Sequence, residues 1–262
     1  MSVNSHLTST GSSLVLSSTE SGSISTSIYT LSTRLNSWFG NTITQDFQFG
    51  SSVRGTILPR SADSRSDIDY MVVFNTSDGK KKPQTYLDRL RKFAENKYSS
   101  SDIKQSSPTL VLSLNHISFE LVPAVYEYYS YQIPSPASSY IDWITTDPNG
   151  TNQALQDKNK SHNYLIKPLV RLIKYWNAIN GYPYTSFFLE QYIVGKFYYP
   201  TSPLKELFYQ FWSGFNYSYD APQSTKNKVN LAKTRTANAK SYEAQDLPAT
   251  AEKEIKKVIP PL

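Results

Sequence analysis

Asp67 and Asp69 stand one residue apart at the head of an apolar run, Asp67-Ile-Asp-Tyr-Met-Val-Val-Phe74. Such a run reads as a buried strand. Side chains alternate along a strand, so both carboxylates share one face, about 7 Å apart at Cα. Two anions placed there repel each other and are costly to desolvate. A bound divalent cation removes both penalties. A third carboxylate, Glu120, lies inside a second apolar pattern, Ile117-Ser-Phe-Glu-Leu-Val-Pro-Ala124. It faces with Ser118 and Val122, while Ile117, Phe119 and Leu121 face the other way. It reads either as a core glutamate paired with a nearby Arg or Lys, or as a third metal-binding acid on a neighbouring strand. Upstream, Gly50-Ser51 follows the alternating Phe47-Gln-Phe49. Glycine lets a backbone approach a phosphate closely, and the serine offers both an N–H and a hydroxyl. A lone pair of acids is often a surface pair and a lone Gly-Ser is usually a turn; the order strand, Gly-Ser, loop, acidic strand is far more specific.

These residues need elements to hold them. Ser17-Ser-Thr-Glu20 has the form of a capping box. After it Ile24, Ile28, Leu31, Leu35 and Trp38 recur at helical spacing up to Gly40, which predicts a helix over 18–39. Residues 1–17, rich in Ser and Thr, are expected to fray in part. Strands are predicted over 43–49 and 67–74, and a helix over 84–98 from Leu87, Leu90, Ala94 and Tyr98. The stretch 99–107 reads as a polar loop. Thr109 to Leu114 and Ile117 to Ala124 form a hairpin about Asn115-His116. Pro134, Pro136 and Pro148 punctuate a connecting region around Tyr140-Ile-Asp-Trp143, the expected boundary between two lobes. A helical pattern over about 152–180 carries Pro168, which should kink or break it. Lys167, Arg171 and Lys174 form a basic stripe on that helix. Further helices are expected from Thr185-Ser186 to Lys196, over 203–213 and over 229–258. Lys226 to Arg235 and Lys80 to Lys82 read as solvated charge runs.

The chain of 262 residues, with 20 Tyr, 12 Phe and 4 Trp, has ample core material for one large domain or two lobes. It contains no cysteine, which excludes disulfides and thiolate metal sites and suits a reducing cytoplasm. The formal net charge of +6 favours anionic partners, nucleotides before nucleic acid. No apolar run approaches a membrane span, and the N-terminus lacks the basic and apolar regions of a signal peptide.

The acidic strand, the Gly-Ser turn and their order resemble the signature of the nucleotidyltransferase superfamily with the polymerase-beta-like fold. The spacer from Ser52 to Ser66 is longer than that signature usually shows, making Ala62 to Arg65 a candidate insertion. The segments Phe49-Gly-Ser, Arg54-Gly-Thr56, Ser66-Asp-Ile-Asp69, Phe119-Glu-Leu-Val-Pro-Ala124, Arg171-Leu-Ile-Lys-Tyr-Trp-Asn177 and Thr185-Ser-Phe-Phe-Leu-Glu190 narrow the match. In that order they look like the CD-NTases, bacterial cyclic-oligonucleotide synthases of anti-phage defence, similar in fold to animal cyclic GMP-AMP synthase and oligoadenylate synthases. The resemblance covers about 18–258. It implies an α/β (α+β), two-lobed fold: a mixed-sheet catalytic lobe over 18–145 with a bracing N-terminal helix, and a helical lobe over 146–262. It implies two Mg²⁺ ions, with Mn²⁺ possible, held by Asp67, Asp69 and Glu120. Glu120 would assist deprotonation of the attacking hydroxyl. Its extra methylene, where the family more often has Asp, could shift the metal. Gly50, Ser51 and Lys174 would bind phosphates. Ser186 would cap its helix, touch phosphate, or both, and Phe187 would stack on a base or fill the core. Arg54 would be structural or phosphate-proximal. The implied partners are NTPs, ATP and GTP foremost, with nucleic acid optional, no membrane, and a downstream effector reached through the diffusible product. Two other readings share these residues: a template-independent transferase acting on RNA, a protein or a small molecule, and an inactive nucleotide or RNA binder.

Overall fold

The computed structural model describes residues 2–106, 108–136 and 141–262. Two compact units emerge. The first, the sheet unit, comprises Ser17–Ile57 and Arg65–Gln153; the second, the helical unit, comprises Met1–Leu16, Leu58–Ser64 and Ala154–Leu262.

The chain opens with helix α1 (Val3–Ser13), where the sequence predicted a fraying tail. The reason is tertiary. Val3, Leu7 and Leu14 are wholly buried in the core of the helical unit, and the His6 imidazole bonds to the Ile259 carbonyl at 2.8 Å. Ser/Thr-rich composition is a weak prior that such packing overrides. Helix α2 (Ser18–Phe39) starts on the expected capping box, with Ser17 and Glu20 satisfying each other's backbone N–H.

Strand β1 (Ile43–Gln48) leads to a one-turn helix α3 (Gly50–Arg54), then β2 (Asp67–Phe74), helix α4 (Pro83–Lys97), β3 (Asp102–Ser106), β4 (Thr109–Ser113), β5 (Ser118–Glu127), β6 (Ser130–Pro134) and β7 (Trp143–Thr146). The order across the sheet is β1-β2-β5-β4-β3, with β6 and β7 continuing from β5. β2 and β5 run parallel; the other pairs are antiparallel. The polar stretch expected as a loop over 99–107 is thus in part strand β3. It pairs with β4 along its length and half-buries Ile103 and Gln105. Gln105 accepts from the Arg91 guanidinium at 2.8 Å, so an edge strand of poor propensity is held by its neighbours. One sheet face, with Ile68, Tyr70, Val72, Phe74, Phe119 and Leu121, is deeply buried; α2 and α4 pack on the sheet. The opposite face carries a smaller cluster of Met71, Val73 and Ala124 with Phe47, Phe49, Tyr131 and Ile133. Of the expected boundary region, Tyr140 lies outside the described residues, and the division between units falls at Gln153/Ala154.

The helical unit continues through α5 (Pro148–Ser161), α6 (Ile166–Ile179), α7 (Ser186–Gly195), α8 (Leu204–Gly214), α9 (Gln223–Ala244) and α10 (Pro248–Lys256). The single helix predicted over 152–180 is broken, but before Pro168. Asn163 and Tyr164 turn the chain with positive φ, and Pro168 falls in the first turn of α6, where no intrahelical N–H is needed. The helix predicted over 229–258 is likewise two, because Pro248 restarts it at N1 of α10 after Asp246 at φ 57°. No helix among the described residues is long and apolar enough to cross a membrane.

Candidate active site

The register of β2 against β5 decides where the acids meet. Asp69 lies opposite Glu120 and Asp67 opposite Ser118, so the three carboxylates share one sheet face. They head the thinner apolar face, ahead of Met71, Val73 and Val122, and each is half-buried. Burial, and then the Asp69 charge, push the Glu120 carboxyl above the usual carboxylate range, while a hydrogen bond with Asp67 pulls it partly back. Among the described residues no three His, Cys, Asp or Glu side chains form a ready-made metal cage. The donor chemistry nevertheless fits a hard dication: only carboxylate oxygens, with mutual repulsion that such an ion relieves. The salt-bridged core glutamate considered for Glu120 finds no support, since its perturbing neighbours are both acids.

Gly50 is bound to this arrangement by space. Its φ is +71°, and a Cβ there would stand 1.8 Å from Asp69 Oδ2. The Phe49 N–H donates to the Asp69 carbonyl at 3.0 Å, stitching the Gly-Ser turn onto β2. The Ser51 carbonyl accepts from Thr56 N–H at 2.9 Å and Ile57 N–H at 3.1 Å, and Gly55, at φ 68°, ends α3 in the left-handed region. Ser51 is therefore fixed beside the acids. Arg54 is buried, 7% exposed, and donates to Asn152 Oδ1 at 3.4 Å within the sheet unit.

In the helical unit, α6 carries Lys174, buried at 6% exposure, and Asn177, at 1%. The Asn177 carboxamide donates to the Tyr184 carbonyl at 2.8 Å and accepts from its N–H at 3.1 Å. That double bond pair pins the segment leading into α7, whose N-cap is Thr185: its hydroxyl accepts from Phe188 N–H at 3.2 Å. Ser186 is thus the first helical residue and not the cap. Phe187 is 55% exposed, which removes the core-filling alternative. The sequence names Asn177 only as the end of the Arg171–Asn177 segment and gives it no role; a polar residue three positions from Lys174 on an otherwise apolar helix face is the available signal. The longer spacer predicts a small insertion at Ala62–Arg65. Leu58 and Ala62 instead join the core of the helical unit, and buried Asp63 accepts from the Tyr182 hydroxyl at 2.6 Å.

Paired acids on one strand, a third on the parallel neighbour, and a Gly-Ser turn seated on the first strand define a nucleotidyltransferase of the polymerase-beta-like fold. The family model described as "Second Messenger Oligonucleotide or Dinucleotide Synthetase domain" matches residues 1–159, and the chain belongs to that family. It is 30% identical over 113 residues to a Bacillus cereus protein named a probable cyclic nucleotide synthase; the match spans 38% of this chain and 33% of that relative's length. Among solved structures it resembles the Vibrio cholerae di-nucleotide cyclase DncV in complex with ATP and GTP (TM-score 0.75, 12% identity, 99% of this chain and 97% of that one). It also resembles E. coli MS115-1 CdnC with ATP (TM-score 0.72, 14% identity, 99% and 98% covered). A third similar fold is Bradyrhizobium diazoefficiens CdnG in complex with GTP (TM-score 0.71, 10% identity, 98% of each chain).

Proposed function

We propose that this chain joins nucleoside triphosphates into a cyclic di- or trinucleotide second messenger with release of pyrophosphate, acting in the cytoplasm in anti-phage signalling. The observation that carries this reading is the β2–β5 register, which brings Asp69 against Glu120 with Gly50 packed on Asp69, in a chain of the second-messenger synthetase family. ATP and GTP are the favoured substrates, since similar solved structures hold one or both.

Asp67, Asp69 and Glu120 would hold the divalent cations, two Mg²⁺ in this reading, whose charge makes the attacking hydroxyl more acidic and stabilises the leaving pyrophosphate. The Gly50-Ser51 turn holds the β- and γ-phosphates through backbone N–H and hydroxyl. The ribose hydroxyl oxygen of the acceptor bonds to the α-phosphorus of the donor as the bond to the β-phosphate oxygen breaks. The hydroxyl proton passes to a carboxylate, for which Glu120 is the assigned acceptor. Lys174 meets the terminal phosphate as a point charge, Ser186 contributes a phosphate contact, and Phe187 stacks on a base. A second transfer of the same kind closes the ring.

The test is mass spectrometry of products from a four-NTP mixture with Mg²⁺ or Mn²⁺ and no added acceptor. The expected result is a phosphatase-resistant cyclic oligonucleotide that disappears in the Asp67→Asn, Asp69→Asn double variant. Turnover only after adding RNA, a protein or a small-molecule acceptor would replace this reading with the template-independent transferase. NTP or RNA binding without any turnover would replace it with the inactive binder.

A further inference from the structure

Strand register places more than the three acids. Glu120 lies opposite Val111 and Val111 opposite Lys104; Ser118 lies opposite Ser113 and Ser113 opposite Asp102. Directly opposed side chains share a face. Val111, Ser113, Ser118, Asp102 and Lys104 therefore extend the acid-bearing face of β2 and β5 across β4 to the edge strand β3. Val111, Ser113 and Ser118 are half-buried, and Asp102 and Lys104 stand exposed at the margin. Lys104 is two strand spacings from Glu120, about 10 Å between backbones. The Gly50-Ser51 turn belongs to the other side: it follows β1, the far neighbour of β2, and packs on Asp69.

The opposite side of β3 fixes which face it presents. Gln105 accepts from Arg91 on α4 at 2.8 Å, and Ile103 is half-buried beside it. Side chains alternate along a strand, so this anchor commits Asp102 and Lys104 to the acid-bearing face. The two form an ion pair at 2.7 Å, with 55% of the Asp102 side chain and 73% of the Lys104 side chain exposed. An exposed pair of this kind is worth about 0–1 kcal/mol, so a ligand opens it at little cost. Its charges cancel, which makes it a poor site for a bare phosphate. It suits a neutral group that presents donors and an acceptor side by side. The Watson–Crick edge of guanine is such a group: N1–H and N2–H reach the two oxygens of a carboxylate, and O6 accepts from an ammonium. Adenine offers that carboxylate only its N6 amino group.

We infer that β4 and β3 carry the base subsite of the acceptor nucleotide, and that Asp102 and Lys104 select guanine there. The inference rests on the proposed nucleotidyl transfer, in which Glu120 takes the proton of the attacking hydroxyl. The acceptor ribose then sits on the β5 side of the acids, and its base extends over Val111 towards β3, away from the donor phosphates at Gly50-Ser51. The test offers the full chain labelled ATP as donor, with equal amounts of guanosine and adenosine 5′-(α,β-methylene)triphosphate. The methylene bridge blocks release of pyrophosphate, so each analogue can accept a nucleotidyl group but not donate one. Mass spectrometry of the linear products gives the acceptor preference. The wild type should favour the guanosine analogue about tenfold. Asp102→Ala should bring that preference within about twofold of unity, and Lys104→Ala should lower it about threefold. Both variants should keep the wild-type melting temperature, as exposed substitutions do. Equal use of the two analogues by the wild type, transfer to ATP alone, or an undiminished preference in folded Asp102→Ala overturns the inference and leaves the proposed synthase standing. Transfer to no nucleotide at all overturns the proposed function, and this inference with it.

Discussion

At the scale of single residues, Gly50 and Glu120 are held by opposite demands. Gly50 has a left-handed φ and no room for a methyl group against Asp69. Gly50→Ala must therefore either shift the turn off β2 or displace the Asp69 carboxylate. A loss of about 1–3 kcal/mol in stability is expected, together with a fall in turnover larger than stability alone explains. Denaturant unfolding and a product assay check this, and wild-type values in both would refute the packing argument. Glu120 behaves in the reverse sense. Its folded-state proton affinity is raised by burial and by Asp69. An acid raised in this way costs the folded state free energy once ionised, so metal-free stability falls as pH climbs from the ordinary carboxylate range through the raised pKa. Glu120→Gln removes that cost. The variant should melt at or above the wild-type temperature without metal at pH 7, lose most of the stabilisation given by Mg²⁺ with a non-hydrolysable NTP, and lose turnover. A metal-free variant that melts well below wild type yet responds fully to Mg²⁺ and NTP would return Glu120 to a structural role.

At the scale of elements, the segment joining α6 to α7 is held in part by one side chain, Asn177. Asn177 satisfies both the N–H and the carbonyl of Tyr184. Asn177→Ala leaves two part-buried backbone groups to find water or new partners, at a total cost of about 1–3 kcal/mol. Ser186 and Phe187, the proposed phosphate and base contacts, lie immediately beyond, so on that proposal NTP affinity should drop together with melting temperature. Isothermal titration with a non-hydrolysable NTP and a thermal melt measure the two. Unchanged affinity in a destabilised variant would confine Asn177 to the scaffold. Element existence was readable from the sequence wherever periodicity was strong, as in α2 with its capping box and in β2 with its apolar run. It failed for β3, whose Asp-Ile-Lys-Gln-Ser carries no strand signal and is a strand because β4 supplies its partners.

At the scale of the whole molecule, the N-terminus is part of the core. Leu7 is wholly buried within the helical unit, although nearly the entire chain separates it from its neighbours in α10. Leu7→Ala should cost about 2–5 kcal/mol, as deletions of buried aliphatic groups do, and denaturant unfolding reports it directly. A cost under about 0.5 kcal/mol, the range of surface substitutions, would mean that α1 frays in solution as its composition suggests.

The sequence by itself determined the chemistry of the candidate site and most of what carries it. Asp67 and Asp69 share a face because a strand alternates, and Gly50-Ser51 precedes them in the order a phosphate-binding turn requires. These are local properties, fixed by side-chain type and spacing. Only the tertiary structure decided that Glu120 stands opposite Asp69, since pairing register is set between strands and not within one. It alone tied Gly50 to Asp69, gave the cap of α7 to Thr185, and placed the Leu58–Ser64 segment with the helical unit. It also turned a Ser/Thr-rich N-terminus into a packed helix. In each case the deciding energy comes from contacts between residues distant in the chain, which no window of neighbouring residues contains.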